Sequence, residues 1–203
     1  MMFGLAREPA RWLVVDVEAS GLDPARDRLL AIGAVALHRD GPRLALRPAD
    51  SFEVVLAQPE RPADKANILL HGIGIGAQRA GVEPAAALAN FAAYVGDAPL
   101  IAFHAVFDRR LLERALHAHG GLRVRWLDLA DLAPVLQPGV RATALDDWLA
   151  LHGIEVAERH RAAADAWATA ELLQKLWPLA RRQRADGFHG LQRLAEARRW
   201  LPR

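Results

Sequence analysis

Cysteine is absent from this chain of 203 residues, and lysine occurs only at Lys65 and Lys175. The lack of cysteine excludes disulfides, thiolate nucleophiles and cysteine-based zinc or iron–sulfur sites. Long apolar runs are also missing: no stretch approaches the roughly 20 residues of a membrane span, and the N-terminal MMFGLAREPARW lacks a signal-peptide core. These absences favour a cytoplasmic enzyme with no membrane partner.

The composition is that of a soluble globular chain, with 52% hydrophobic and 25% charged residues. A chain of this length can bury one substantial core, so a single domain is the default expectation. The formal net charge is only +2, but the pI is about 9.6 because nearly all the cations are arginine, which stays protonated. The high pI is consistent with phosphate-rich partners, and the arginine content is equally consistent with genomic base composition.

Strands are predicted first along the chain, and helices follow. Apolar, β-branched runs separated by Gly, Pro and Asp predict an antiparallel meander, and two short buried strands come later. The strands are expected at residues 12–18 and 29–38, in the segment that runs from the turn at 40–42 up to residues 51–57, and at residues 99–103 and 123–129. Helical spacing of apolar residues predicts the main helices at residues 83–96, 105–120 and 162–177. This order predicts an α/β domain with a mixed sheet.

Two carboxylates interrupt the apolar run WLVVDVEASG at residues 12–21. Residues two apart in a strand share a face, so Asp16 and Glu18 are expected side by side, with Cβ atoms roughly 7 Å apart. Their repulsion in a partly desolvated site calls for a cation. A strand end that reaches water or an Arg side chain fits this pattern. A divalent metal site fits it as well, because Mg²⁺ and Mn²⁺ prefer oxygen ligands.

Asp108, His160 and Asp165 are ordinary residues when each is taken alone. Asp108 is expected in the first turn of the helix that follows residues 99–103, where the helix dipole favours an acid in any case. Asp165 is expected inside a helix, and His160 on the loop that enters it.

Together, three ordered motifs resemble the DnaQ-like 3′-to-5′ exonucleases of the DEDDh type: D-V-E followed by S-G-L, F-D at a helix start, and H-x₄-D entering a late helix. The similarity runs from about Trp12 to about Leu176 and includes the segments ILLHGIG, LDLADLAPVL and ALDDWLALHGI. The resemblance implies an RNase H-like fold, in which helices flank a mixed five-stranded sheet made of a three-stranded antiparallel meander and two parallel strands. We expect an exonuclease domain at residues 10–180, with a basic C-terminal helix at residues 181–203 packed on it.

The resemblance implies four metal-binding carboxylates, Asp16, Glu18, Asp108 and Asp165, and a general base, His160. Two Mg²⁺ or Mn²⁺ ions about 3.5 to 4 Å apart would neutralise the charge on the attacking and leaving oxygens of a phosphodiester. Asp16 would bridge both ions, Glu18 and Asp165 would complete one shell, and Asp108 would hold the other ion through water. A histidine suits the base because its ordinary pKa is about 6.5. The products would be 5′-mononucleotides.

Substrate contacts are implied at six positions: Ala19, Ser20, Gly21, Leu22, His71 and His104. Relatives usually show H-N-A-x-F-D at the second motif, where this chain reads F-H-A-V-F-D, so His104 replaces an asparagine that helps to position the terminal nucleotide. His104 either hydrogen-bonds a sugar or phosphate oxygen or is a half-buried residue at a helix entry. Leu22 either wedges against the terminal base or packs normally, in a loop where A-S replaces the common T-T. His71 would touch the terminal sugar.

The expected activity is metal-dependent removal of nucleotides from a single-stranded 3′ end of DNA or RNA, with a DNA polymerase or a homodimer partner as alternatives for assembly. A non-catalytic nucleic-acid-binding or polymerase-accessory subunit with the same fold is the second hypothesis. The third is a phosphatase with Asp16 as nucleophile, a class that needs a lysine partner, and neither lysine has a convincing context. The C-terminal helix either packs with its Arg outward, or attracts phosphates, or docks a partner.

Overall fold

A mixed five-stranded sheet forms the centre of the protein in the computed structural model, which describes residues 8–59, 68–69, 71–117 and 121–198. The strands follow the order β3-β2-β1-β4-β5 across the sheet. Their bounds are β1 Arg11–Ala19, β2 Leu29–Asp40, β3 Arg43–Val55, β4 Leu100–Ala102 and β5 Trp126–Asp128. The first three pair antiparallel, β4 pairs parallel with β1, and β5 pairs parallel with β4. The mixed sheet predicted from the sequence is confirmed.

Helices cover both faces of this sheet. They are α1 Ile75–Arg79, α2 Pro84–Val95, α3 Ala105–Leu116, α4 Leu129–Leu136, α5 Leu145–Leu151, α6 Ala162–Arg182 and α7 Phe188–Ala197. α2 and α3 pack on the face that carries Leu13 and Val15, and α4 to α7 pack on the face that carries Trp12 and Val14. β1 is apolar on both faces because both are covered. No helix in the described part of the chain is long and apolar enough to cross a bilayer.

β5 is shorter than the strand expected at residues 123–129. β4 offers three residues for pairing, and β5 matches them one for one. Directly after β5, the Asp128 carboxylate accepts the N–H of Ala130 at 2.9 Å and caps the start of α4. The helix cap therefore ends the strand.

The C-terminal segment begins with an extension of α6. This helix continues through Pro178 to Arg182 instead of ending at residue 177, because Ala180 is fully buried in the core beyond the proline. α7 then places Phe188 in the same core, where its ring meets the edge of Trp12 with 5.6 Å between centroids. Residues 199–203 lie outside the described part of the chain.

A polar network closes the end of the sheet where β1 starts. Residues 48–50 of β3 bulge out of register with β2. The carboxylate of Asp50 turns back to accept two hydrogen bonds from Arg11, at 2.7 and 2.8 Å, and lies 2.7 Å from Nε2 of His38. The Tyr94 hydroxyl of α2 donates to the Asp50 carbonyl at 2.9 Å. Three strands and one helix are thus joined at a single residue.

Candidate active site

Three carboxylates from two elements meet at the C-terminal end of β1. Asp16 and Glu18 lie side by side on β1, as the strand period predicts, and Asp165 lies in the first turn of α6. One ligand oxygen from each of the three lies within 4.8 Å of the other two. Hard divalent cations are bound by carboxylate oxygens gathered in this way.

Gly33 allows α6 to approach the sheet closely enough to form this cluster. It is the register partner of Asp16 on β2, and a Cβ atom there would lie 2.2 Å from backbone atoms of Ala162 and Ala163 at the start of α6. Helix backbone cannot give way without moving the whole helix. The missing side chain therefore determines how near Asp165 comes to β1. Gly33 was not predicted as a site residue, although a glycine inside the apolar run LLAIGAVAL is a signal for close backbone approach.

Asp108 reaches the same end of β1 from α3. β4 pairs with β1 at Leu13 and Val14, and further along β1 the N–H of Val17 is donated instead to the Asp108 carboxylate at 3.1 Å. Asp108 is buried, with 5% of its surface exposed. Among the described residues it stands outside the trio of converging oxygens, and this hydrogen bond holds it at the strand edge beside them.

Burial raises the pKa values of Asp16, Glu18 and Asp108. Burial is the largest cause for Asp16, whose pKa lies well above its usual range, and the charges of Asp108, Asp165 and Glu18 add to it. Burial, followed by the charges of Asp165 and Asp108, raises the pKa of Glu18 to about 8. Burial also raises the pKa of Asp108 to about 7, against the effect of its backbone hydrogen bonds. A bound cation would relieve this repulsion.

Arg159 brings a positive charge to the cluster. Its Nη1 donates to Oδ1 of Asp165, and its Nε donates to Oδ1 of Asp146 at 2.5 Å. Its charge lowers the pKa values of Asp16 and Glu18 in opposition to burial. Arg159 was not predicted from the sequence, although it directly precedes the predicted base.

His160 lies on the loop before α6, as expected, with an exposed side chain. Its backbone is left-handed, with φ at 60°, and its N–H is donated to Oδ2 of Asp165 at 3.1 Å. A left-handed conformation is uncommon outside glycine and requires support from its surroundings. The Asp165 carboxylate gives this support, so it connects the predicted base to the acidic cluster.

The predicted substrate loop after Ala19, the last residue of β1, is a hydrogen-bonded turn. Ser20 Oγ donates to Asp27 Oδ1 at 3.0 Å, and a Cβ atom on Gly21 would lie 2.5 Å from the other oxygen of that carboxylate. The turn presents Leu22 with 90% of its surface exposed. The normal packing considered for Leu22 is therefore not found.

The two predicted substrate histidines differ in exposure. His104 is exposed rather than half-buried; its backbone is left-handed, with φ at 62°, and its N–H is donated to Asp128 at 3.0 Å. His71 is 4% exposed, its Nδ1 accepts the N–H of Ile73 at 3.0 Å, and its buried Nε2 has no hydrogen-bond partner among the described residues. Burial lowers the pKa of His71. Ile73 packs against Ala31 of β2, which pairs with Glu18. The segment that contains His71 and Ile73 therefore borders the acidic cluster.

The phosphatase hypothesis requires a lysine near the acidic cluster, and in the part of the chain that the structure describes no lysine lies there. Lys175 is exposed on α6, ten residues after Asp165, which corresponds to about 15 Å along the helix axis. Lys65 lies outside the described residues.

The sequence is similar to a nuclease family and to long bacterial polymerases. The profile of the RNase_T family, described as an exonuclease, matches residues 13–173. A DNA polymerase III of the PolC type from Latilactobacillus sakei is 30% identical over 177 residues, which are 83% of this chain and 11% of the polymerase. The chain thus spans about a tenth of the length of the curated relatives it matches.

Solved structures share the fold at low sequence identity. Escherichia coli exonuclease I in complex with a dT13 oligonucleotide superposes with a TM-score of 0.74 and 19% identity, over 86% of this chain and 42% of that chain. Exonuclease X in complex with 5′ overhanging duplex DNA gives a TM-score of 0.69 and 18% identity, over 91% of this chain and 99% of that chain. The likeness confirms the RNase H-like arrangement of a mixed sheet flanked by helices.

Proposed function

The chain belongs to the RNase_T exonuclease family, the DnaQ-like nucleases, and on this premise we propose that it is a metal-dependent 3′-to-5′ exonuclease that releases 5′-mononucleotides. The observation that carries the proposal is the convergence of Asp16, Glu18 and Asp165, with Asp108 held at the same strand end. A non-catalytic binding subunit would not need these acids to be held together against their repulsion.

The donor set fits a hard divalent cation. The three converging side chains offer oxygen atoms alone, and their repulsion is what a positive charge would relieve. We assign Asp16, Glu18 and Asp165 to one Mg²⁺ or Mn²⁺ ion, and Asp16 with Asp108 to a second. When bound, such ions neutralise charge on the attacking and leaving oxygens and make water more acidic.

His160 is assigned as the general base. Its ring is exposed on a loop that the Asp165 carboxylate anchors, which leaves the imidazole free to approach a water beside the scissile phosphate. His160 takes a proton from that water while the water oxygen attacks phosphorus, and the bond from phosphorus to the 3′ oxygen of the preceding nucleotide breaks. That 3′ oxygen keeps the electron pair and takes a proton from solvent water, which leaves a 3′ hydroxyl on the shortened strand. The released nucleotide keeps its 5′ phosphate.

The turn after β1 and the two histidines are assigned to the terminal nucleotide. Burying an exposed leucine contributes about 1.5 to 3 kcal/mol, so Leu22 favours contact with a base. Ala19 at the end of β1 and the turn residues Ser20 and Gly21 directly precede Leu22, and the N–H of Ser20 is donated to the Arg28 carbonyl at 2.9 Å. The unpartnered Nε2 of His71 suits a sugar hydroxyl, and the exposed ring of His104 suits a sugar or phosphate oxygen.

We propose single-stranded DNA with a free 3′ end as the substrate to test first, with RNA as the alternative. Two findings support this choice: a relative is a DNA polymerase III, and a structural neighbour was solved with a dT13 oligonucleotide. A DNA polymerase or a second copy of the chain is the proposed partner, and the cytoplasm is the proposed location.

The test uses oligonucleotides of DNA and RNA labelled at either end and incubated with Mg²⁺ or Mn²⁺. We expect stepwise shortening of the 5′-labelled strand and immediate release of the 3′ label as a mononucleotide. Neither result should be seen after the metal is chelated or with the variant Asp16→Asn. Binding without shortening would favour the non-catalytic hypothesis. Shortening that begins at the 5′ end, or that persists in Asp16→Asn, would contradict the proposal.

A further inference from the structure

Arg159 places a guanidinium on the same carboxylate that is assigned to the metal, and the inference drawn from it rests on the proposed function. Its side chain is 23% exposed and contacts Oδ1 of Asp165, whose side chain is 8% exposed. On its other side it contacts Asp146 of α5, whose side chain is 63% exposed. The guanidinium therefore lies between a buried acid of the cluster and an acid at the surface.

Both oxygens of Asp165 are engaged in this arrangement. Oδ1 accepts from Arg159, and Oδ2 accepts the backbone N–H of His160. Each carboxylate oxygen has two lone pairs, so a metal ion could still bind. However, the guanidinium and a divalent cation on one buried carboxylate would repel each other strongly, because the local dielectric constant is low.

We propose that Arg159 is a positioning residue that competes with the divalent cation for Asp165, and that Asp146 is the acceptor to which its guanidinium withdraws when the cation binds. In the metal-free protein, Arg159 partly neutralises the cluster. With the cation present, the ion pair with Asp146 keeps the displaced guanidinium close by. Metal affinity is then set by an exchange of one cation for another at Asp165.

Replacing Arg159 and replacing its partner Asp146 should change the affinity for Mn²⁺ in opposite directions. Arg159→Gln removes the competitor, so the dissociation constant for Mn²⁺ should fall by about tenfold, a modest fraction of the Coulomb repulsion expected at such distances. Asp146→Asn removes the alternative acceptor and leaves the guanidinium on Asp165, so the same constant should rise severalfold. The double variant should behave like Arg159→Gln, because Asp146 acts through Arg159.

The measurement is calorimetric titration of the full chain with Mn²⁺ in the absence of nucleic acid. Matched controls come from the same loop: Arg161→Gln and Glu158→Gln break an exposed ion pair that does not contact the cluster. Both controls should bind Mn²⁺ like the unchanged chain. Thermal unfolding without metal adds a second readout, in which Arg159→Gln should lower the Tm.

Different results separate this inference from the proposed function. Opposite shifts in Arg159→Gln and Asp146→Asn, with the double variant matching the first, would support the competition. If the unchanged chain binds Mn²⁺ and degrades DNA but all three variants bind within twofold of it, the competition is wrong and the proposed exonuclease stands. If the unchanged chain shows neither metal binding that depends on Asp16 nor degradation, both are wrong.

Discussion

At the scale of single residues, His160 combines an exposed ring with a backbone N–H bound to Asp165. We predict that His160→Gln lowers kcat by about a hundredfold to ten-thousandfold, the usual contribution of a general base. The rise in Tm caused by Mn²⁺ should remain, because the carboxylates are unchanged. His189→Gln, at an exposed histidine of α7, is the matched control and should keep full activity. Unchanged kcat in His160→Gln would remove His160 from the mechanism.

Glu18 gives a prediction about stability and pH in the absence of metal. Its pKa is raised from about 4.5 to about 8 in the folded chain, so folding favours its protonated form. The resulting loss of stability is absent below about pH 4.5, grows as the pH rises, and is complete above about pH 8. Glu18→Gln should therefore unfold at a higher temperature than the unchanged chain at pH 8, and the two should converge near pH 5.

Thermal unfolding in the presence of EDTA, repeated every half pH unit, measures this difference. Saturating Mn²⁺ should reverse it at pH 8, since the charged carboxylate is then a ligand. Parallel Tm curves for the two proteins between pH 5 and 8 would show that burial and repulsion do not raise the pKa of Glu18 as described.

The strand period alone predicted that Asp16 and Glu18 share a face of β1. Asp108, His160 and Asp165 were predicted only because the three ordered motifs together resemble the DnaQ-like family. Arg159 was missed because its role depends on contacts with α5 and α6 that no local pattern contains. At Gly33 the glycine inside an apolar run indicates a close approach but does not say which backbone approaches. Exposure was also beyond local reasoning, as the buried His71 and the exposed Leu22 illustrate.

At the scale of elements, the backbone of α6 approaches β2 closely at Gly33. Gly33→Ala would place a Cβ atom 2.2 Å from helix backbone, so α6 must shift away from the sheet. We predict a loss of stability of about 1 to 3 kcal/mol, as for an overpacked core, together with weaker Mn²⁺ binding because Asp165 moves with the helix. Chemical denaturation and metal titration measure the two effects.

Gly76→Ala is the control for this change, since a Cβ atom on that α1 residue would meet open space. It should leave both stability and Mn²⁺ binding nearly unchanged. Normal metal binding by Gly33→Ala would mean that the position of Asp165 does not depend on this contact.

Element types and their order were predictable, while their ends were not. The apolar runs gave the five strands and the helical spacing gave the main helices. β5 ends early because Asp128 caps α4, and α6 runs past Pro178 because the core continues to cover it. The end of β5 is set by a helix cap and the end of α6 by packing against a core built from distant elements. Apolar periodicity reports neither.

At the scale of the whole molecule, the ends of the sheet respond to pH in opposite directions. Hydrogen bonds from Arg11 and His38 hold the pKa of Asp50 well below its usual range. Asp50 therefore stabilises the folded chain above about pH 4, and this contribution is lost as the pH falls further. The acidic cluster at the other end destabilises the metal-free chain as the pH rises.

We predict that Asp50→Ala lowers the free energy of unfolding at pH 7 by about 2 kcal/mol, because charged hydrogen bonds are lost. The kcat on DNA should stay unchanged at a temperature where the variant is folded, since Asp50 contacts Arg11 at the start of β1 and the acids lie at the other end of that strand. Denaturant unfolding and steady-state rates measure the two. If Asp50→Ala lowered kcat but left the free energy of unfolding unchanged, the idea that the two ends of the sheet act independently would be wrong.

The borders of the sheet bear on how copies of the chain can associate. The β3 border is interrupted by the bulge at residues 48–50, which includes a proline and turns Asp50 inward. The β5 border has three residues, and the carbonyl of Trp126 already accepts a hydrogen bond from Gln192 of α7 at 3.0 Å. Bulges, prolines and covered edges disfavour strand-to-strand aggregation. A second copy of this chain should therefore associate through helices and loops, and the folded protein should resist growth into extended sheets.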